Sequence, residues 1–173
     1  MLEDGSVYEG TARGDFKETA CEIVFNTSMT GYVEILTDPS YAGQGVVMTY
    51  PMIGNYGISR EDFESERLQP SAFIVHELSS DPSNFRCTDT IENLLKEYNI
   101  PCISGVDTRA VVKKLRESGT MRGVLTSDIS DRERLMDVIK SFRQIDLVGS
   151  VTAKQTKVYG EENTGAEIAL MDF

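Results

Sequence analysis

The chain has 173 residues, the length of one ordinary domain, and such a domain buries roughly 70% of its unfolded surface without needing a disulfide or a structural metal. Hydrophobic content of 40% and charged content of 26% exclude a disordered or fibrous chain and predict a soluble globular one. With 28 acids against 17 bases the net charge is −11, a field that repels phosphate backbones and anionic lipid and so predicts neither a nucleic-acid nor a membrane partner.

In chain order, three short runs rich in β-branched and aromatic residues, 7–12, 21–26 and 45–50, read as strands, each bounded by Gly, Asp, Asn or Pro. The polar segment 27–40 between the second and third reads as a loop with one short helix, closed by Asp38-Pro39. Residues 51–57 are punctuated as a loop, 60–67 form a mixed-charge run, and 72–76 form an apolar strand.

The second half changes character. Ile91, Leu94, Leu95 and Tyr98 fall at helical spacing, with Thr88 or Asp89 as caps and Pro101 beyond the end. A strand over 102–106 follows. A helix capped by Asp107 or Thr108 then places Val111, Val112 and Leu115 on one face and stops at Gly119. After a strand over 121–126, Ser130 and Glu133 have the S-x-x-E spacing of a capping box before Leu135, Val138, Ile139 and Phe142.

Strands first and β-α-β-α alternation later predict an α/β domain in three layers, β/β/α, with a partly parallel central sheet and a second antiparallel sheet. The predicted domain spans 1–150; the polar stretch 151–166 reads as a linker, and 167–173 as the opening strand of a further domain that is cut short.

Charge is unevenly distributed. Residues 1–86 hold 14 acids and 5 bases, net −9, whereas 87–173 hold 14 acids and 12 bases, net −2. The acidic half either meets a basic partner or simply solvates the surface. Cys21, Cys87 and Cys102 are widely spaced and odd in number, which predicts a reducing, cytoplasmic compartment rather than a disulfide framework. No basic-then-apolar leader opens the sequence, and no apolar run approaches the ~20 residues of a membrane span.

Chemistry is sparse. The single imidazole, His76, sits at the end of a strand, and pairing it with Cys102 would give a small cysteine hydrolase; the alternatives are a structural histidine and a buried, inert thiol. No H-x-x-H, C-x-x-C or EF-hand spacing predicts a metal, and Glu61, Asp62, Glu64 and Glu66 are interleaved with Arg60 and Arg67 as on a solvated face. Gly43-Gln44-Gly45 and Gly54-Asn55-Tyr56-Gly57 lack a phosphate-binding fingerprint. The residues predict a domain that binds or supports rather than catalyses.

Longer ordered blocks carry more information. Leu2-Glu3-Asp4-Gly5, Val24-Phe25-Asn26-Thr27-Ser28-Met29-Thr30-Gly31-Tyr32, Glu34-Ile35-Leu36-Thr37-Asp38-Pro39-Ser40-Tyr41, Thr49-Tyr50-Pro51-Met52-Ile53-Gly54-Asn55 and Gly105-Val106-Asp107-Thr108-Arg109 resemble the N-terminal domain of the small, glutamine-hydrolysing subunit of carbamoyl-phosphate synthetases. The resemblance runs through nearly all of residues 2–150. It implies a swivelling-type β/β/α fold and a following class I glutamine amidotransferase domain with a Cys, His and Glu triad, of which Cys21, Cys87 and Cys102 match no member. Ile168-Ala169-Leu170-Met171-Asp172-Phe173 is similar to that domain's first strand.

By this resemblance the intact subunit cleaves glutamine and passes ammonia to a large subunit, which uses ATP and Mg to make carbamoyl phosphate from bicarbonate for arginine and pyrimidine synthesis. This domain itself holds no cofactor and no catalytic residue; its partners are the large subunit, the glutaminase domain and glutamine. Ser40 matches a serine that reaches the glutamine site, the other reading being a turn residue after Asp-Pro. Asn26, Thr27, Ser28, Thr30, Gly31 and Tyr32 are expected to line the interdomain cleft, or else only to satisfy their own backbone.

Overall fold

A computed structural model describes residues 1–14, 16–143, 146–158 and 168–171. The described chain is α/β, built on a curled six-stranded mixed sheet. The strands are β1 (Thr11–Arg13), β2 (Thr19–Asn26), β3 (Gln44–Met48), β5 (Ala72–Ile74), β7 (Cys102–Ser104) and β8 (Met121–Leu125), in the order β1-β7-β5-β3-β2-β8. The inner four, β7, β5, β3 and β2, are mutually parallel, and β1 and β8 close the two sides antiparallel. Long crossovers between consecutive inner strands impose that parallel direction, because a tight turn cannot return a chain parallel to itself.

Alternation along the inner strands divides the core. Val46, Phe73 and Cys102 join a cluster with Tyr32, Val33 and Leu36 of α1 (Tyr32–Thr37) and Ile91, Leu94 and Leu95 of α2 (Ile91–Glu97). Their neighbours Val47, Ala72 and Ile74 face the other way, against Leu2 and against Val111, Val112 and Leu115 of α3 (Thr108–Ser118). Thus α1 and α2 cover one face and α3 the other. Leu135 and Ile139 of α4 (Arg132–Ser141) pack on Val124 of β8, and α5 (Leu147–Val151) ends the described helices.

Most predicted elements are present, with corrections. The first strand does not occupy 7–12: β1 starts at Thr11, because its ladder pairs only with the three residues of β7, and Gly10 lies so close to β7 that an added Cβ would meet the Ser104 carbonyl oxygen at 2.5 Å. The second sheet is parallel, not antiparallel, and holds only two residues from each of β4 (Met52–Ile53) and β6 (Glu77–Leu78). Its strands extend beyond the ends of β3 and β5, which already run parallel, so they inherit that direction.

Two caps shift by a residue or more. Thr90, not Thr88 or Asp89, accepts from the Asn93 N–H; Asp89 instead takes the Thr90 N–H and the Asn93 side-chain amide. Asp131, not Ser130, caps α4 by accepting from the Arg134 N–H, while the Ser130 N–H is committed to Asp128. Asp107 caps α3 and Gly119 ends it at φ 82°, as the sequence predicts. The second-domain strand predicted at 167–173 lies partly outside the described residues; Ile168, Ala169, Leu170 and Met171 carry no regular element and are exposed.

Candidate functional site

The carboxyl ends of the parallel strands are where an open α/β sheet exposes loops for binding. Here β2 runs into 27–31, β3 into Thr49 and Pro51, β5 into His76, and β7 into Gly105, Val106 and Asp107. Between these loops and the start of α3 lies a cleft of about 1060 Å³, bordered by Thr27, Thr49, Pro51, His76, Asp107 and Arg109 among others.

The loop after β2 is held from a distance. Gly31 begins α1 at φ 82°, a left-handed conformation that glycine adopts without a Cβ penalty, and it offers no side-chain cap. The missing acceptor comes from Tyr56, whose hydroxyl receives the N–H groups of Gly31 at 2.7 Å and Tyr32 at 3.1 Å. Tyr32 reciprocates: its hydroxyl donates to the Gly57 carbonyl at 2.8 Å and accepts the Tyr56 N–H at 3.3 Å. The two rings stack with centroids 4.1 Å apart. Burial of the rings raises both phenol pKa values above their ordinary value, so they stay neutral hydrogen-bonding groups.

Asn26 joins this loop to the segment carrying Ser40. Its Oδ1 accepts the Ser28 N–H at 2.7 Å and its Nδ2 donates to the Tyr41 hydroxyl at 2.9 Å. Ser40 lies in the 3₁₀ turn Pro39–Tyr41, its N–H given to Asp38 Oδ1 at 2.8 Å. Its side chain is exposed, and among the described residues no hydrogen bond engages its Oγ. Thr27, Ser28 and Thr30 are also exposed, Asn26 and Gly31 are half-buried, and Tyr32 is buried in the core. Of the predicted cleft residues, Thr27 borders the cleft; Tyr32 has a structural role as the anchor of the loop.

Sequence reasoning missed Tyr56 and the cations of α3. A tyrosine three residues after Ile53, inside a glycine-rich turn, gave no sign of capping a helix so far upstream. Arg109, Lys113 and Arg116, however, fall at i, i+4 and i+7, the spacing of one helix face, and were legible in principle.

The Cys102 and His76 pairing is corrected. Cys102 is buried among the apolar residues of the α1/α2 face, where desolvation pushes its thiol up to about 12. His76 is exposed at the cleft, with Nδ1–H donating to the Val106 carbonyl at 3.1 Å. A thiol held protonated in the core is not a nucleophile. The acidic run is tied down as a charged surface: Arg86 bridges Asp62 at 2.7 Å and Glu61 at 3.1 Å. Among the described residues no group of three or more His, Cys, Asp or Glu side chains is placed to hold a metal, and no helix is long and apolar enough to cross a membrane.

These features define an α/β domain with an open cleft across the carboxyl ends of its parallel strands. Its kinship is specific. A family model described as the carbamoyl-phosphate synthase small chain, CPSase domain, matches residues 1–125, and the chain belongs to that family. It is 47% identical over 174 residues to the carbamoyl phosphate synthase small chain of Clostridium perfringens (strain 13 / Type A), across 100% of this chain and 49% of that protein. Over 176 residues it is 48% identical to the small chain of Archaeoglobus fulgidus, across 99% and 48%; over 187 residues it is 44% identical to that of Aquifex aeolicus, across 99% and 50%. The chain thus spans about half the length of the curated relatives it matches.

Proposed function

We propose that this chain acts as the N-terminal docking and scaffold domain of a cytoplasmic, glutamine-dependent carbamoyl-phosphate synthase, a heterodimeric ligase of a small and a large chain. The observation that carries this reading is the match to synthase small chains along the whole of this chain and only half of theirs. The remaining half would be the class I glutamine amidotransferase domain, joined through 151–166 and beginning near 167–173, with residues 1–150 as the docking unit. Glutamine hydrolysis there would supply ammonia to the large chain. That chain would hold ATP and Mg and form carbamoyl phosphate for arginine and pyrimidine synthesis. On its own this domain would be catalytically inactive. In the finer fold description, the small β4/β6 sheet is the outer β layer of a three-layer β/β/α swivelling domain.

Within this reading Ser40 contacts glutamine. Its exposed hydroxyl, on a turn already braced by Asp38, is available to donate or accept one hydrogen bond. Asn26, Thr27, Ser28, Thr30, Gly31 and Tyr32 position the loop facing the glutaminase domain.

The test is reconstitution of the full-length small chain with its cognate large chain. Deleting residues 1–150 is expected to abolish carbamoyl phosphate formation from glutamine while leaving formation from ammonia intact. Unchanged glutamine-dependent synthesis refutes the reading. Ser40→Ala in the full-length chain should raise the glutamine KM about 2- to 10-fold, the worth of one hydrogen bond, without changing ammonia-dependent turnover.

A further inference from the structure

Seven of the described cations are ion-paired. Lys114 meets Asp4 at 2.8 Å, Arg122 meets Glu3 at 3.0 Å and Arg134 meets Glu18 at 2.8 Å. On the exposed outer face of α3 three unpaired ones stand together. Among the described residues, Arg109, Lys113 and Arg116 have no carboxylate within ion-pair distance, although the chain has 28 acids to choose from. Their i, i+4, i+7 spacing lays three positive charges along about 10 Å of one helix face. All three border the cleft at the carboxyl ends of the strands, as does His76. Arg116 is held with its guanidinium 5.6 Å from the centre of the Phe25 ring, a cation–π contact.

The position is set by topology. The connection leaving β5 returns through α2 on one face of the sheet, whereas the one leaving β7 returns through α3 on the other. Adjacent strands whose exits diverge in this way open a crevice at their carboxyl ends, the usual binding position in open α/β sheets. His76 follows β5, Arg109 follows β7, and both border this crevice.

The character of the crevice selects its occupant. Small-molecule sites enclose their ligand and seldom exceed about 1,000 Å³. This one is open, and its cations stand on an exposed helix. Arginine is enriched at protein interfaces. Nucleic acid is opposed by the net charge of −11.

We propose that the Arg109, Lys113 and Arg116 face of α3 docks a protein partner, the large synthase chain of the reading above, that presents carboxylates along about 10 Å of its surface. This deepens the docking reading above and rests on it. Opposed charges of this kind set orientation and association rate and weaken with salt.

The test is calorimetric titration of the chain with its cognate large synthase chain at 50 and 300 mM NaCl. Wild type is expected to bind saturably, with Kd rising at least tenfold between the two salt concentrations. The variant R109E/K113E/R116E should bind about 100-fold more weakly at low salt. The variant R132E/K140E/R143E, with the same change of charge placed on and just after α4, should bind within twofold of wild type. Circular dichroism establishes that each variant is folded. Should the triple reversal not fold, Lys113→Ala, an exposed truncation, is expected to weaken binding about fivefold.

Wild-type binding with the α3 reversal or Lys113→Ala equally tight overturns the α3 surface and leaves the docking reading standing. Equal weakening by the α3 and α4 variants also overturns it, as a net-charge effect. No binding by wild type overturns both.

Discussion

Tyr56→Phe isolates one oxygen atom. The ring stays, so the 4.1 Å stack on Tyr32 and the apolar burial stay with it. What is lost is the acceptor for the N–H groups of Gly31 and Tyr32 at the start of α1, where no local side chain caps. Removing an N-cap acceptor costs about 0.5–2 kcal/mol, and stranding a buried donor costs about 1–3 kcal/mol. Both N–H groups are only partly buried, so water recovers part of that, and we expect about 1–2 kcal/mol. At about 2–4 °C per kcal/mol for a domain of this size, the melting temperature should fall by about 2–8 °C. Tyr56→Ala also removes the stacked ring and should cost about 3–5 kcal/mol. Urea unfolding of the three proteins measures the costs, and amide hydrogen exchange at Gly31 and Tyr32 locates them. A Tyr56→Phe protein within 0.3 kcal/mol of wild type, with unchanged protection at those two amides, would falsify the idea that this hydroxyl is the cap of α1.

Three further outcomes follow from the packing and charge. Cys21 and Cys102 are fully buried, with thiols pushed up to about 12, while Cys87 is half-buried; thiol titration of the native protein should label Cys87 first, the other two reacting only on unfolding, and fast labelling of Cys102 would contradict its placement in the core. A Cβ at Gly45 would meet Cys21 Sγ at 2.7 Å and Ile23 Cδ1 at 2.8 Å, so Gly45→Ala should cost about 1–3 kcal/mol and Cys21→Ala should recover part of it in the double variant; strictly additive costs would show that the two sites do not touch. Glu18 is held at about 2, below its ordinary 4.5, chiefly by Arg134 and then by Thr126. A lowered carboxylate stabilises the fold above its unfolded pKa and loses that contribution as pH falls through about 2. Glu18→Gln should therefore flatten the acid limb of stability between about pH 4.5 and 2 and, because the pair is solvent-exposed, cost only about 0.5–1 kcal/mol at neutral pH. An acid limb identical to wild type would remove Glu18 from the account.

Much of this architecture was readable from local chemistry. The apolar runs at β2, β3, β5 and β7 had the length and β-branching of buried parallel strands, and the apolar positions of α2, α3 and α4 kept helical spacing. The cap of α4 was misplaced because Asp128, Ser130 and Asp131 all compete for nearby N–H groups, and backbone geometry chooses among them. The extent of β1 and the direction of the second sheet depend on a partner strand far away in sequence, which no local pattern encodes. The Tyr32 and Tyr56 pair is hidden for the same reason.

The candidate docking face shows most clearly where local reading stops. Lys113 and Lys114 are adjacent lysines on the same helix. Lys114 is spent on Asp4 at the other end of the sequence, while Lys113 has no carboxylate among the described residues and borders the cleft. Periodicity assigns the two lysines to different sides of α3, since successive residues lie about 100° apart, yet it cannot tell which side is already occupied. Only the tertiary neighbours decide that: residues 1–3 run along β8, through the Leu2 to Gly123 bridge and the Glu3 N–H to Arg122 carbonyl bond, and thereby bring Asp4 to Lys114. The side of α3 so covered is spent on stability, and the side left open is the one whose charges are free to choose a partner.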